Sequence, residues 1–399
     1  MARIRWLTYL MFLMFAMTSE SVGVIIPSVI REFHLGMAAG GAFHYATMSG
    51  IALGGVLLGS LADRAGRKVT ILIGLGLFGI SAAMFAWISS FGLFLVLLFI
   101  GGIAVGIFKT AALALIGDIS TSTRAHTATM NVVEGFFGIG AIIGPAIVAY
   151  LLSHDASWKW LYLIAAIFCG LLMIVAWRVP YPQTRAAAPN GAPLADMLAM
   201  LHNRYALAFS TGIMLYVGIE TAIYVWMPTL LAGYSGPGWR WAVYALSIFF
   251  ILRVIGRFGG FWLLERYDWT SVMALCGVAI LLCFVCAIIG GRPFAVVALP
   301  VSGLFMSIIY PTLNSKGISC FPKPQHGAIS GVILFFTCVS AVLAPLAMGL
   351  IGEYLGDAIY GFYLATAFAA VLAAGLILNR IFDPASAELR RRGDLDYAV

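Results

Sequence analysis

The chain has 399 residues, of which 62% are hydrophobic and only 10% charged, with a formal net charge of +7 and a mean hydropathy of +1.01. A water-soluble fold of this length has no way to bury so much apolar surface, so the composition excludes an ordinary soluble enzyme or binding domain. The positive charge does not point to nucleic acid either, because the basic residues sit in short loops between apolar runs, the distribution a membrane imposes.

In chain order, the apolar runs predict twelve spans: 6–30, 43–62, 69–89, 93–118, 126–152, 158–178, 205–231, 241–264, 270–290, 294–315, 326–352 and 358–381. Each is long enough to cross a bilayer. Each must be helical, since lipid satisfies no exposed backbone group. The first run is too long for a signal-peptide core and lacks a small-residue cleavage pattern, so it is read as a span. With the N-terminus inside, one side of the membrane holds Arg3, Arg5, Arg64, Arg67, Lys68, Arg124, Arg178, Arg185, Arg204, Arg266, Lys323, Arg380, Arg390, Arg391 and Arg392. The other side holds only Arg31, Lys159, Arg240 and Arg292. The bias predicts a multi-pass protein of the inner (plasma) membrane with both termini cytoplasmic.

The six cysteines lie in or at the ends of apolar runs and read as reduced core residues. Cys283 and Cys286 form a C-x-x-C inside an apolar helix, with no nearby His or second pair, so no metal or cofactor is expected. Nor is there a G-x-x-x-x-G-K-[ST] loop for ATP. No soluble segment is large enough to host an enzyme.

The loop 179–204, with Pro180, Pro182, Pro189 and Pro193, divides the spans six and six. This predicts an N-terminal bundle over 1–178, a cytoplasmic linker over 179–204, a C-terminal bundle over 205–381 and a cytoplasmic tail over 382–399. The halves repeat at an offset near 200 residues: Glu20 with Glu220, Pro27 with Pro228, Gly144-Pro145 with Ala344-Pro345, Phe136-Phe137 with Phe335-Phe336, and Asp63-Arg64 with Glu265-Arg266. A parallel duplication of this kind puts a solute site between two six-helix halves.

Ionisable residues inside the spans mark the expected site, because a charge at membrane depth is costly unless it is paired or functional. Glu20, flanked by Ser19 and Ser21, is about 14 residues, or ~21 Å, into the first span. Glu220 sits at the matching depth of the seventh, with Tyr216 and Tyr224 one turn to either side on one face. Aromatic rings beside a carboxylate suit a sugar, whose C–H face packs on the ring while its hydroxyls bond the acid. Lys109 lies nine residues before Asp118, and Glu134 nine after Ala125. Equal distances from the intervening loop predict one depth and a Lys109–Glu134 ion pair, either static or gated by a proton or an anion. Arg253 is near the middle of the eighth span, where it is open to a solute carboxylate or phosphate, or to Glu220. Arg257 is assigned to the Glu265-Arg266 loop. Tyr310 and Asn314 share a face of the tenth span beside Pro311, a possible helix break. His44 and Tyr45 open the second span as interfacial residues.

Between the second and third spans stands Gly59-Ser-Leu-Ala-Asp-Arg-Ala-Gly-Arg-Lys68. It resembles motif A of the major facilitator superfamily, G-x-L-a-D-r-x-G-R-k, and the resemblance extends over the whole chain. It implies an all-α membrane protein of twelve transmembrane helices in two pseudo-twofold-related six-helix halves. It also implies a cytoplasmic gate at Gly59, Asp63, Arg64, Gly66 and Arg67, where the family latches its halves together. Asn131-Val-Val-Glu-Gly-Phe-Phe-Gly-Ile-Gly-Ala-Ile-Ile-Gly-Pro145, Tyr216-Val-Gly-Ile-Glu220 with Trp226 and Pro228, Gly256-Arg257, and Gly303-Leu-Phe-Met-Ser-Ile-Ile-Tyr-Pro-Thr312 are similar to the fucose permease-like sugar/proton symporters. That similarity implies proton-driven uptake of a sugar-like solute by a monomer. Glu20 would be the proton carrier, Lys109 and Glu134 would share in coupling, and Asn131 would join the solute site. Similar proteins carry His before the Gly-Phe-Phe-Gly and an acid in the fourth span, where this chain has Glu134 and Lys109. An organic-anion/proton symporter is therefore an alternative. So is a drug/proton antiporter, since Gly140-x-x-x-Gly144-Pro145 resembles part of the antiporter motif, although Val148 and Ala149 replace the glycines expected after it.

Overall fold

A computed structural model describes residues 2–57, 61, 65–120, 123–182, 198–322, 325–384 and 389. The described residues are helix joined by short turns, with no strand among them. Among the described residues, ten helical stretches are long and apolar enough to cross a membrane. Large apolar side chains on them face outward, among them Phe258 (77% exposed) and Ile289 (81%). Patches of that kind belong against lipid.

The chain folds as two compact units, residues 1–189 and 190–399. In the first, the opening span is broken into α1 (Ala2–Ser19) and α2 (Val22–Phe33). A short α3 (Met37–Gly40) leads into α4 (Ala42–Leu57). Then come α5 (Arg67–Met84), α6 (Phe91–Ile119), α7 (Thr123–Ser153) and α8 (Lys159–Arg178). α4 and α6 approach each other closely along their length. A Cβ on Gly50 would lie 2.2 Å from the Phe99 carbonyl oxygen, and one on Gly102 would lie 2.3 Å from that of Thr47. Each helix presents small residues four apart, Gly50 and Gly54 against Gly102 and Gly106. Backbones approach closely in this way where lipid supplies no hydrophobic drive.

In the second unit α9 (Arg204–Thr221) passes into a π-helical turn, Ala222–Trp226, and a short α10 (Met227–Leu230). The Asn203 side chain caps α9 by accepting from the amides of Tyr205 and Ala206. α11 (Trp239–Ala242) precedes α12 (Ala245–Arg266). The predicted ninth and tenth spans run on as α13 (Trp269–Met306), but Gly291, at φ 62°, folds the chain between them. α14 (Ile309–Ser319), α15 (His326–Leu355) and α16 (Ile359–Phe382) complete the unit. Helix thus stands at every one of the twelve predicted positions. Pro311 lies in the first turn of α14, where a missing N–H is tolerated. The break in the tenth span falls before it, at Ser307-Ile308.

The duplication is visible in packing as well as in spacing. In the first unit a Cβ on Gly140 would meet the Leu13 carbonyl oxygen at 2.2 Å. At the equivalent place in the second, the Ser340 hydroxyl donates to the Met214 carbonyl, 2.6 Å away. One small residue on the fifth span of each repeat therefore seats that span on the backbone of the first.

Candidate functional site

Glu20 falls in the gap between α1 and α2. The Ser21 amide reaches back only three residues, to Thr18, and the Val24 amide reaches Ser21. The Ser21 hydroxyl donates to the Met17 carbonyl at 2.6 Å and so satisfies a backbone group near the break. The Ser19 hydroxyl donates to Glu20 Oε1 at 3.2 Å. Gly144 of α7 lies against this turn: its Cβ position is 1.9 Å from the Met17 carbonyl oxygen and 2.5 Å from Ser21 Oγ. The break, the carboxylate and the close approach of α7 form one structural unit.

Glu220 occupies the matching place, one residue short of the π-helical turn. Such turns free backbone groups and recur at functional sites. The Trp226 indole, within that turn, donates to the Pro345 carbonyl at 2.9 Å. Glu220 is buried and forms an ion pair with Arg253 of α12. Tyr216, fully buried one turn earlier, donates its hydroxyl to the Met306 carbonyl at 3.0 Å, where α13 ends. The same hydroxyl also has Glu220 Oε1 within reach as an acceptor, at 3.3 Å. Tyr310 joins the group, its ring centroid 6.3 Å from that of Tyr216. Arg257 adds a second positive charge near Tyr216. Close seating of α12 on α13 presents the arginine. A Cβ on Gly256 would lie 2.2 Å from the Leu304 carbonyl oxygen, and one on Gly303 would lie 2.6 Å from that of Phe249. Tyr224, in the π-helical turn, and Asn314, one turn beyond Tyr310, are half-buried.

The expected Lys109–Glu134 pair is not formed: among the described residues no ion pair joins the two. The Lys109 ammonium lies over the Phe137 ring, 4.8 Å from its centroid, one turn beyond Glu134 on α7. Glu134 and Asn131 are exposed. Equal distance from a loop fixes height along two helices but not the direction each side chain takes, and α6 and α7 touch little along their lengths. His44 is buried within the first unit.

At the other end of the first unit, Gly66 takes φ 87°, a conformation glycine allows, and opens α5. Gly59, Asp63 and Arg64 lie outside the described residues. Arg67, largely buried, donates from Nε to Asp118 Oδ2 at 3.0 Å, tying α5 to the end of α6. Lys68 donates to the carbonyls of Trp177 (2.7 Å) and Val179 (3.0 Å) and lies 5.7 Å from the Tyr181 ring centroid. It thereby holds the cationic complement that the C-terminus of α8 favours. Burial pushes the Tyr181 phenol up to about 12. The Asp118 partner was not anticipated, although a lone acid at the inner end of an apolar span marks it. All six cysteines are free thiols.

Helices of membrane-spanning length in two units, with a carboxylate at an irregularity in the first span of each repeat, half-buried at Glu20 and buried at Glu220, define a polytopic membrane transporter. The Major Facilitator Superfamily model matches residues 8–345, and the chain belongs to that family. It is 25% identical to the L-fucose-proton symporter of Escherichia coli (strain K12), over 87% of this chain and 86% of that one. It is also 25% identical to a gallate transporter of Pseudomonas putida, over 90% of this chain and 83% of that one. A crystal structure of the nucleoside transporter NupG superposes with a TM-score of 0.76 at 18% identity, covering 94% of this chain and 98% of that one.

Proposed function

We propose that the protein is a proton-coupled symporter that takes up a small polar solute, a sugar or sugar derivative, by alternating access. It would work as a monomer in the inner membrane with both termini cytoplasmic. Residues 179–204 would link the two bundles. The observation that carries this reading is the placement of two carboxylates, Glu20 and Glu220, at helix irregularities in equivalent positions of the two repeats. Protonation removes a charge that is costly at membrane depth, so each can trade a proton against a change of state. Tyr216, Tyr224, Tyr310 and Asn314 supply the rings and hydrogen-bonding groups a hydroxylated solute needs. Glu20 is assigned as proton carrier, and Lys109, Asn131 and Glu134 as its companions in the first unit. The fucose-proton symporter among the relatives supports the solute class.

A second reading, organic-anion/proton symport, is favoured by Arg253 inside the Glu220 cluster and by the gallate transporter among the relatives. The antiporter reading loses its motive, since Gly140 and Gly144 are accounted for by the seating of α7 on α1. Reconstitution in liposomes tests the proposal. An inward proton gradient should drive accumulation of a sugar or sugar acid, and solute added without a gradient should move protons inward. Accumulation that ignores the gradient would refute symport.

A further inference from the structure

We infer that a cavity behind the Glu20 break is hinge room: the first span bends at Ser19–Ser21, and α2 swings into that cavity as the transporter changes state. The inference rests on the transport reading above and assigns a moving part within the first unit.

The cavity, of about 30 Å³, lies inside the first unit. Residues of α4, α5, α6 and α8 bound it, and Thr18, Ser19 and Val22 of the break close the remaining side. Ser21 keeps a right-handed helical conformation, at φ −89° and ψ −11°, so the helical faces run on through the break. Thr18 and Val22, four residues apart, share one face, and that face looks onto the cavity. Met17 and Ser21, also four apart, share the face that meets Gly144 of α7. Glu20 stands two residues from both Thr18 and Val22, about 200° round the helix, and does not line the cavity. Movement of α2 toward α7 is blocked, since no Cβ fits between Gly144 and the Met17 carbonyl. The cavity offers the open direction, on the side away from the carboxylate.

Little holds α2 in line with α1. The Ser21 and Val24 amides reach only three residues back, at 3.3 and 3.1 Å. Pro27, inside α2, has no amide hydrogen, so the bond that would run back to the Gly23 carbonyl is missing. The other walls are stiffer. α4 and α6 meet backbone to backbone at Gly50 and Gly102. The Tyr162 ring stacks on Phe85 with centroids 4.1 Å apart, and Phe85 stacks on Phe94 at 5.1 Å. Atoms around a void forfeit contacts, and the state in which α2 occupies it recovers them. Closing a void of this size is equivalent to about a threefold shift in an equilibrium.

Hydrogen exchange of the purified protein, read by mass spectrometry over residues 19–26, tests this without solute or gradient. Two substitutions on the α6 wall fill the cavity. One is Gly101→Ala, whose new Cβ would meet nothing nearer than Phe78, at 3.8 Å. The other is Val105→Ile, which adds one methylene at a lining position. Each should slow exchange across the break about threefold or more. Val105→Ala enlarges the cavity and should hasten exchange there. Gly135→Ala makes the same chemical change as Gly101→Ala, with nothing within 4 Å of its Cβ position, and should leave exchange at the break as it is. Where one filled variant fails to fold, the other carries the test. Wild-type exchange in the filled variants, slower exchange in Val105→Ala, or equal slowing in Gly135→Ala would overturn the inference. None of these results bears on symport. Conversely, if the filled variants respond as expected but Glu20→Gln still accumulates solute in full, the coupling role of Glu20 fails and the hinge does not.

Discussion

Replacing Gly144 by alanine adds one methyl group where the structure has no room for it. The new Cβ would lie 1.9 Å from the Met17 carbonyl oxygen, 2.7 Å from the Met17 carbonyl carbon and 2.5 Å from Ser21 Oγ. Two of these are backbone atoms of α1, so no side-chain rotation relieves the clash. Ordinary carbon–oxygen contact needs separations of about 3.3 Å or more, so α7 must retreat from α1 by roughly 1.4 Å. That opens the interface along its length and disturbs the Ser21–Met17 hydrogen bond beside Glu20. Overpacking of this kind typically costs ~1–3 kcal/mol, and the backbone character of the contact puts Gly144→Ala near the upper end. The same helix supplies a control: Gly135 has nothing within 4 Å of its Cβ position. Gly135→Ala should be neutral, or gain up to about 1 kcal/mol from helix propensity. The assay is thermal unfolding of both variants in detergent, with transport measured in parallel. Gly144→Ala should unfold well below wild type and transport poorly, whereas Gly135→Ala should match or exceed wild-type stability. Equal stability of the two variants would refute the assignment of Gly144 to a backbone contact at the Glu20 break.

Arg253→Gln and Glu220→Gln should each lower stability, by up to ~3–5 kcal/mol less a discount for partial exposure, because each removes one side of a mostly buried ion pair; the double variant should recover part of the loss, and simple additivity in thermal unfolding would deny the pair. Tyr162→Phe should be neutral or stabilising in the same assay, since the buried Tyr162 hydroxyl has no hydrogen-bond partner among the described residues, and a clear loss of stability would show that the hydroxyl is bonded. Asp268 caps α13. Desolvation raises its carboxyl, but bonds from Thr270 and Ser271, with the Arg380 charge, outweigh that and hold it below the usual carboxylate range. Its contribution should therefore be present at neutral pH and fade only in acid below that range; Asp268→Ala should cost about 1 kcal/mol near pH 7 and much less in strong acid, as read by unfolding at the two conditions.

Much of the architecture was legible because a bilayer forces apolar runs into helices of fixed minimum length, and because the two repeats share a 200-residue offset. Glu20 and Glu220 stood out for the cost of a carboxylate in such runs. The sequence left Arg253 open between solute and Glu220, and the structure pairs it with Glu220 on helices that Gly256 and Gly303 let approach closely. The Lys109–Glu134 pair failed because chain spacing gives depth, whereas the azimuth of each side chain depends on how α6 and α7 are rotated. The break after Glu20 has no glycine or proline of its own, so nothing local announced it. The π-helical turn at Ala222–Trp226 has its one local marker in Pro228, whose missing N–H and ring disfavour a regular turn just before it. Gly50, Gly54, Gly102 and Gly106 drew no notice in the sequence, because their partnership becomes evident only once α4 lies on α6.

The most direct test of the account is transport by Glu20→Gln in proteoliposomes, comparing accumulation driven by an inward proton gradient with exchange of labelled for unlabelled solute. A carboxylate that carries the coupling proton is needed for net proton movement but not for exchange. The account predicts that accumulation is lost while exchange continues. Full gradient-driven accumulation by the variant would contradict it.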